Sequence, residues 1–195
     1  MSRIVTLIQG HPDPNGGHFG HALADAYREG AGGVGHEVRE IRVAKLSFPW
    51  LRSPEDFERG EPPPMIQEAQ ETIGDADHLV FVYPLWLGDL PAVLKAFLEQ
   101  TFRPAFVTQD PKGLSGFGVR RLKGTSARLV VTMGMPALFY RLFYRAHSVW
   151  SFKRNILHFC GIRPVAATLI GMAGGSAKRR ERWLHRARRL GRYAR

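Results

Sequence analysis

One pattern dominates this chain: short apolar runs alternate with stretches whose apolar residues recur at helical spacing. The runs lie at residues 4–9, 79–82, 127–132 and 165–170, and residues 37–43 alternate apolar and polar in the same role. Each has the length of a strand. Between and after them, helical spacing is read at 18–30, 65–73, 91–102, 137–160 (as two stretches) and 177–193. In the first of these Ala22, Leu23, Ala26 and Tyr27 share one face, and Pro91 opens another helix at a position where its missing N–H does no harm. Strand and helix alternating in this way argue for parallel strands with helices covering both faces. Five strands fit the doubly wound order 2-1-3-4-5, which puts a ligand crevice at the carboxyl ends of strands 1, 3 and 4. Residues 46–64, closing in Pro62-Pro63-Pro64, and the Gly/Pro-rich residues 103–124 are expected to be irregular, site-building loops. The chain reads as one α/β domain over residues 1–195, with a basic C-terminal helix at about 177–195.

Composition removes several classes of function. With 44% hydrophobic and 23% charged residues the chain can bury an ordinary core. A single cysteine, Cys160, rules out an internal disulfide framework and a cysteine-based zinc site, and fits a reducing, cytoplasmic setting. The opening MSRIVTLIQGHPDP loses its apolar character at Gly10, too soon for a signal peptide. No apolar run approaches the ~18 residues of a membrane span. The net charge of +11 is local: residues 177–195 carry nine Lys/Arg against Glu181. Such a tail is first of all a solvated helix face. Peripheral contact with an acidic membrane or a transporter is the alternative, and nucleic acid is the least favoured partner.

Residues that follow the strands carry the chemistry. After strand 1 comes Gly10-His11-Pro12-Asp13-Pro14-Asn15-Gly16-Gly17-His18-Phe19-Gly20. Its glycines can turn backbone N–H groups toward an anion at the head of the next helix, although the loop is neither a Walker A loop nor GxGxxG. After strand 3 comes Tyr83-Pro84-Leu85-Trp86-Leu87-Gly88, an aromatic beside Pro and Gly that can border a flat heteroaromatic ring; as ordinary core aromatics Tyr83 and Trp86 are equally well read. After strand 4 comes Thr132-Met133-Gly134-Met135-Pro136. No HExxH, GxSxG or Cys–His signature is present, and His11, His18 and His21, though close, lack metal-ligand spacing. Many backbone donors and few nucleophiles suit redox chemistry carried by a cofactor.

These loops, the Pro91-Ala92-Val93-Leu94-Lys95 helix start and Ile156-Leu157-His158-Phe159-Cys160-Gly161 together resemble the NAD(P)H:quinone oxidoreductases, the DT-diaphorase and modulator-of-drug-activity type. The resemblance spans residues 4 to about 170. It implies a flavodoxin-like fold, a noncovalent FAD (alternatively FMN), NAD(P)H as co-substrate, ping-pong hydride transfer to a quinone or similar small-molecule acceptor, and a homodimer with its site at the interface. By position, His11, Asn15 and Phe19 would serve the flavin phosphates. Pro84, Leu85, Trp86 and Leu87 would line the ring, and Thr132, Met133 and Gly134 would meet its pyrimidine side. Tyr140 falls near the family's active-site tyrosine, with His147 as second catalytic candidate, and no metal is implied. Met135 replaces a family glycine, and Gly16-Gly17-His18 lengthens the phosphate loop. A flavin-binding ancillary subunit of a membrane transporter is the alternative function.

Overall fold

The computed structural model describes residues 2–108 and 121–194. Five strands, β1 (Ile4–Gln9), β2 (Glu37–Arg42), β3 (His78–Pro84), β4 (Ser126–Thr132) and β5 (Val165–Ile170), form one sheet in the order β2-β1-β3-β4-β5. All four pairings are parallel, so the expected topology holds. The central strand β3 is buried from His78 to Tyr83, as a strand covered on both faces must be.

Each face has its own helices. Val5, Leu7, Val80, Val82 and Val130 pack beneath α1 (Phe19–Gly32) and α8 (Ala177–Arg192). Ile8, Leu79, Phe81, Leu129 and Val131 lie in the larger core with residues of α3 (Pro64–Gly74) and α4 (Ala92–Thr101). α1 and α8 approach through two glycines. A Cβ on Gly30 would sit 2.0 Å from the Arg188 carbonyl oxygen, and one on Gly191 2.1 Å from that of Tyr27.

Three stretches differ from expectation. Residues 46–64 contain a short helix, α2 (Pro54–Glu58), whose N-cap Ser53 accepts the Asp56 N–H at 3.0 Å. Ser-Pro-Glu-Asp is a legible helix start, with proline at the first position and acids in the first turn. Buried Arg103 pins this loop by donating to the carbonyls of Asp56 (2.8 Å) and Gly60 (2.5 Å). Within 103–124, Pro104–Val107 forms α5, while 109–120 lie outside the described residues. The stretch 137–160 is three pieces instead of two helices: α6 (Ala137–Leu142), α7 (His147–Ser151) and a π-helical turn (Phe152–Leu157). Tyr140 and Val149 would point to opposite sides of one continuous helix, yet both enter the same core. The chain therefore breaks between them, with Arg145 and Ala146 at φ of 52° and 48°.

Candidate functional site at the carboxyl ends of the strands

The loop after β1 is organised by its own polar side chains. Buried Gln9 donates from Nε2 to the Gly20 carbonyl (3.2 Å) and accepts the His11 N–H on Oε1 (3.0 Å), tying both ends of the loop together. His11 Nδ1 accepts the Asp13 N–H at 3.1 Å, which leaves its Nε2 as the N–H of the neutral ring. Asp13 accepts from the Asn15 N–H and Nδ2 and lies 2.7 Å from His18 Nε2. The His11 and His18 rings stack at 4.1 Å, and His21 lies 5.0 Å from His11. The three imidazoles thus gather at the head of α1. No side chain caps that helix, and its first turn holds no acid. An uncapped helix start with unopposed positive dipole favours an anion.

Electrostatics agree with this reading. Burial, then the neighbouring His18 and His21, push the His11 pKa down to about 4. Burial likewise lowers His21, whose Nδ1 is buried without a hydrogen-bond partner. The hydrogen bond from His18, followed by that from the Asn15 N–H, lowers Asp13 to about 2. His11 is therefore a neutral donor near neutral pH.

The loop after β3 is built by a tight turn. Trp86 and Asp89 exchange backbone hydrogen bonds at 2.8 and 2.9 Å, and Leu87 and Gly88 both take positive φ (49° and 83°) between them. Glycine tolerates that conformation, whereas a leucine is strained by it. The turn holds Leu87 fully in solvent and leaves Trp86 half exposed, its ring 6.3 Å from that of His11 in an edge-on arrangement. Neither residue is core, which decides the alternative left open for Trp86; Tyr83 is core. The Leu85 N–H donates to the Thr132 carbonyl at 2.7 Å and the Gly10 N–H to that of Val82 at 2.8 Å. The loop after β1 is thus hydrogen-bonded to β3, and the loop after β3 to the end of β4.

The expected residues sort into three groups. His11, Asn15, Pro84, Leu85, Trp86, Leu87 and exposed Gly134 belong to these neighbouring loops, and half-buried Phe19 opens α1 and packs on the core beneath. Thr132 and Met133 are buried, and the Met133 N–H is already given to the Ile170 carbonyl at 2.9 Å, so it has none left for a ligand. Tyr140 is a correction. It is fully buried, and its hydroxyl is bonded to Ser148 Oγ at 2.7 Å, so in this chain it faces the core rather than the crevice. Helical spacing cannot tell which face of α6 meets the sheet. Exposed His147 lies nearer: a Cβ on Gly88 would be 3.8 Å from its Cε1. Not singled out beforehand was Gln9, the internal brace; His11, His18 and His21 were grouped only as a metal set and set aside, not as the cluster at the head of α1. The pair His18/His21 at helical i, i+3 spacing was the available signal.

The flavodoxin-like fold family model matches residues 4–192, and the chain belongs to that family. Its relatives are redox enzymes. It is 28% identical over 169 residues to an uncharacterised NAD(P)H oxidoreductase of Haemophilus influenzae, covering 85% of this chain and 82% of that one. It is 31% identical over 121 residues to human ribosyldihydronicotinamide dehydrogenase [quinone], covering 60% of this chain and 51% of that one. The solved NAD(P)H:quinone oxidoreductase of Methanothermobacter marburgensis superposes with a TM-score of 0.80 at 26% identity, over 98% of this chain and 96% of the other. The chain thus stands among the NAD(P)H and quinone oxidoreductases, although it spans only about half of the human relative.

Proposed function

We propose that this protein is a flavin-dependent NAD(P)H oxidoreductase passing two electrons to a quinone or similar small acceptor. One observation carries the reading: an uncapped helix head ringed by the imidazoles of His11, His18 and His21 lies beside an exposed indole on an adjoining loop. The first feature suits a phosphate and the second a flat ring. A bound flavin would supply the redox chemistry, taking hydride from the nicotinamide and releasing it to the acceptor.

The chain's own residues do the holding. His11 Nε2–H and the N-terminal N–H groups of α1 would bond the phosphate, with Asn15 bracing the loop through Asp13. Pro84, Leu85, Trp86 and Leu87 would border the ring, Gly134 would offer open backbone on its other side, and Thr132 and Met133 would support that loop from below. The donors gather within one cluster at the head of α1, which suits a single terminal phosphate; FMN is proposed ahead of FAD. His147 is the side chain placed beside the ring site; its Nδ1–H is given to the Tyr144 carbonyl at 3.2 Å, so its Nε2 would accept from ring or acceptor, and Tyr140 positions α7 through Ser148. Nicotinamide and acceptor would use the same open face in turn, giving parallel initial-rate lines. NAD(P)H as reductant fits a cytoplasmic location. Exposed Leu138, Phe139, Leu142 and Phe143 beside this face support a homodimer that buries them.

Reconstitution tests the proposal. Purified protein should carry or take up one flavin per chain, with FMN recovered on mass analysis, and should oxidise NAD(P)H when a quinone is present. Trp86→Gly should weaken flavin retention about tenfold, the scale of one aromatic contact. A colourless protein that no flavin reconstitutes would overturn the reading.

A further inference from the structure

β5 is an edge strand, hydrogen-bonded on one side only, to β4. Its direction is fixed by two ladder bonds: the Pro164 carbonyl accepts the Ala127 N–H, and the Ile170 carbonyl accepts the Met133 N–H. Peptide groups alternate along a strand, so those of the even-numbered residues serve β4. The N–H and C=O groups of Val165, Ala167 and Leu169 then point to the open edge. Among the described residues β5 pairs with β4 alone, which leaves these groups without a strand partner, and Ala167 is exposed. Unpaired edges of this kind are templates for another strand.

The edge runs along a cleft of about 480 Å³. One wall is α6–α7 and the π-helical turn, with Arg141, Trp150 and Lys153; the other is α8, with Trp183 and Arg186. Each wall presents an indole with a cation over it: Lys153 lies 5.1 Å from the Trp150 ring and Arg186 5.2 Å from that of Trp183. Among the described residues no acidic side chain lines the cleft. Arg179 and Arg182 continue the cationic wall along α8. Among the described residues none of Arg141, Lys153, Arg182 and Arg186 has a salt-bridge partner. This gives the basic tail a direction: part of its charge faces a sheet edge instead of open solvent.

We propose that this cleft binds an extended acidic segment of a partner protein, which adds to β5 as a sixth strand. Backbone bonds to Val165, Ala167 and Leu169 would supply the pairing, and the cations on both walls would select Asp or Glu side chains leaning to either face. Trp150 and Trp183 would cover apolar side chains between the acids. Strand addition of this type draws its affinity from main-chain bonds and its specificity from flanking pockets. Nucleic acid would use the same cations and indoles but has no use for the strand edge.

The test is fluorescence anisotropy on the full-length protein with a labelled peptide of alternating Glu and Val. Three comparison ligands are the same peptide N-methylated at alternate residues, its Lys/Val counterpart, and a labelled single-stranded oligonucleotide. Saturable binding of the Glu/Val peptide is expected, weakening with salt, with no binding of the Lys/Val form. N-methylation should weaken binding about tenfold or more, the loss of one or two backbone bonds. Ala167→Pro should do the same, because proline is tolerated on an edge strand where its N–H faced outward. Lys153→Glu with Arg186→Glu should abolish binding, while NAD(P)H oxidation stays unchanged. N-methylated peptide binding as well as the parent, or an oligonucleotide binding more tightly than the peptide, would overturn the proposal. So would no peptide binding at all. The N-methylated arm uses wild-type protein, so it decides the matter even where a variant folds poorly.

Discussion

The two flanks of the sheet are finished to different degrees. On one, α1 and α8 lock together at backbone distance through Gly30 and Gly191, and the outer face of α8 is strongly cationic. On the other, α6 and α7 are short and broken, and Leu138, Phe139, Leu142 and Phe143 stand at 48–71% exposure. The first flank is closed by contacts inside one chain. The second carries apolar surface that a single chain leaves in water, and it is the flank beside the proposed ring site. The contrast teaches where stability and where assembly reside: substitutions on the closed flank should change folding, and those on the open flank should change association.

The strongest test of that division is Gly191→Val. Its side chain would have to displace the Tyr27 carbonyl, so folding free energy should fall by about 3 kcal/mol or more, read as a urea midpoint. Phe143→Glu should leave that midpoint nearly unchanged while weakening self-association about 100-fold, or about 2.7 kcal/mol, by sedimentation. A variant that unfolds instead would make the open flank structural, and the contrast would fail.

Acid should act on the closed flank as well. His78 alternates with Val80 and Val82 toward α1 and α8, is buried, and has its pKa pushed down to about 3 by burial and then by Arg128 and Arg3. The fold thus refuses a proton that the unfolded chain accepts below about 6.5. Stability is whole above that pH and falls as pH drops toward 3, by about 2 kcal/mol at pH 5 from this residue. His11 and His21 act with the same sign. His78→Gln should flatten the decline between pH 7.5 and 5; an unchanged slope would assign it to other groups. The smallest effect expected is Tyr140→Phe, which leaves buried Ser148 without its 2.7 Å partner. It should cost about 1 kcal/mol of stability and change NAD(P)H oxidation by less than about twofold. A large loss of turnover with intact stability would restore a catalytic role to the phenol.

Strand order was legible because parallel strands buried on both faces must be apolar almost throughout, and runs such as Leu79–Val80–Phe81–Val82 announce themselves. The Gly-rich loop and Trp86 were legible for a similar reason: glycine at a turn and an aromatic beside proline are local signals. The helix in the 46–64 stretch carried a signal of the same kind, Ser53-Pro54-Glu55-Asp56, although that stretch was expected to be irregular.

Other features depend on which side of an element meets the sheet, and local pattern does not encode that. Helical spacing puts Tyr140 on a face of α6 without saying that the face is the buried one. Only packing shows that Tyr140 and Val149 must enter one core, which breaks the helix at Arg145 and Ala146. Gly30 and Gly191 are separated by most of the chain, and their joint role exists only where α1 meets α8. The same holds for the open edge of β5. Its residues read as a strand from their β-branched and apolar side chains, but whether a strand is central or at the edge is decided by which neighbours the chain brings to its two sides.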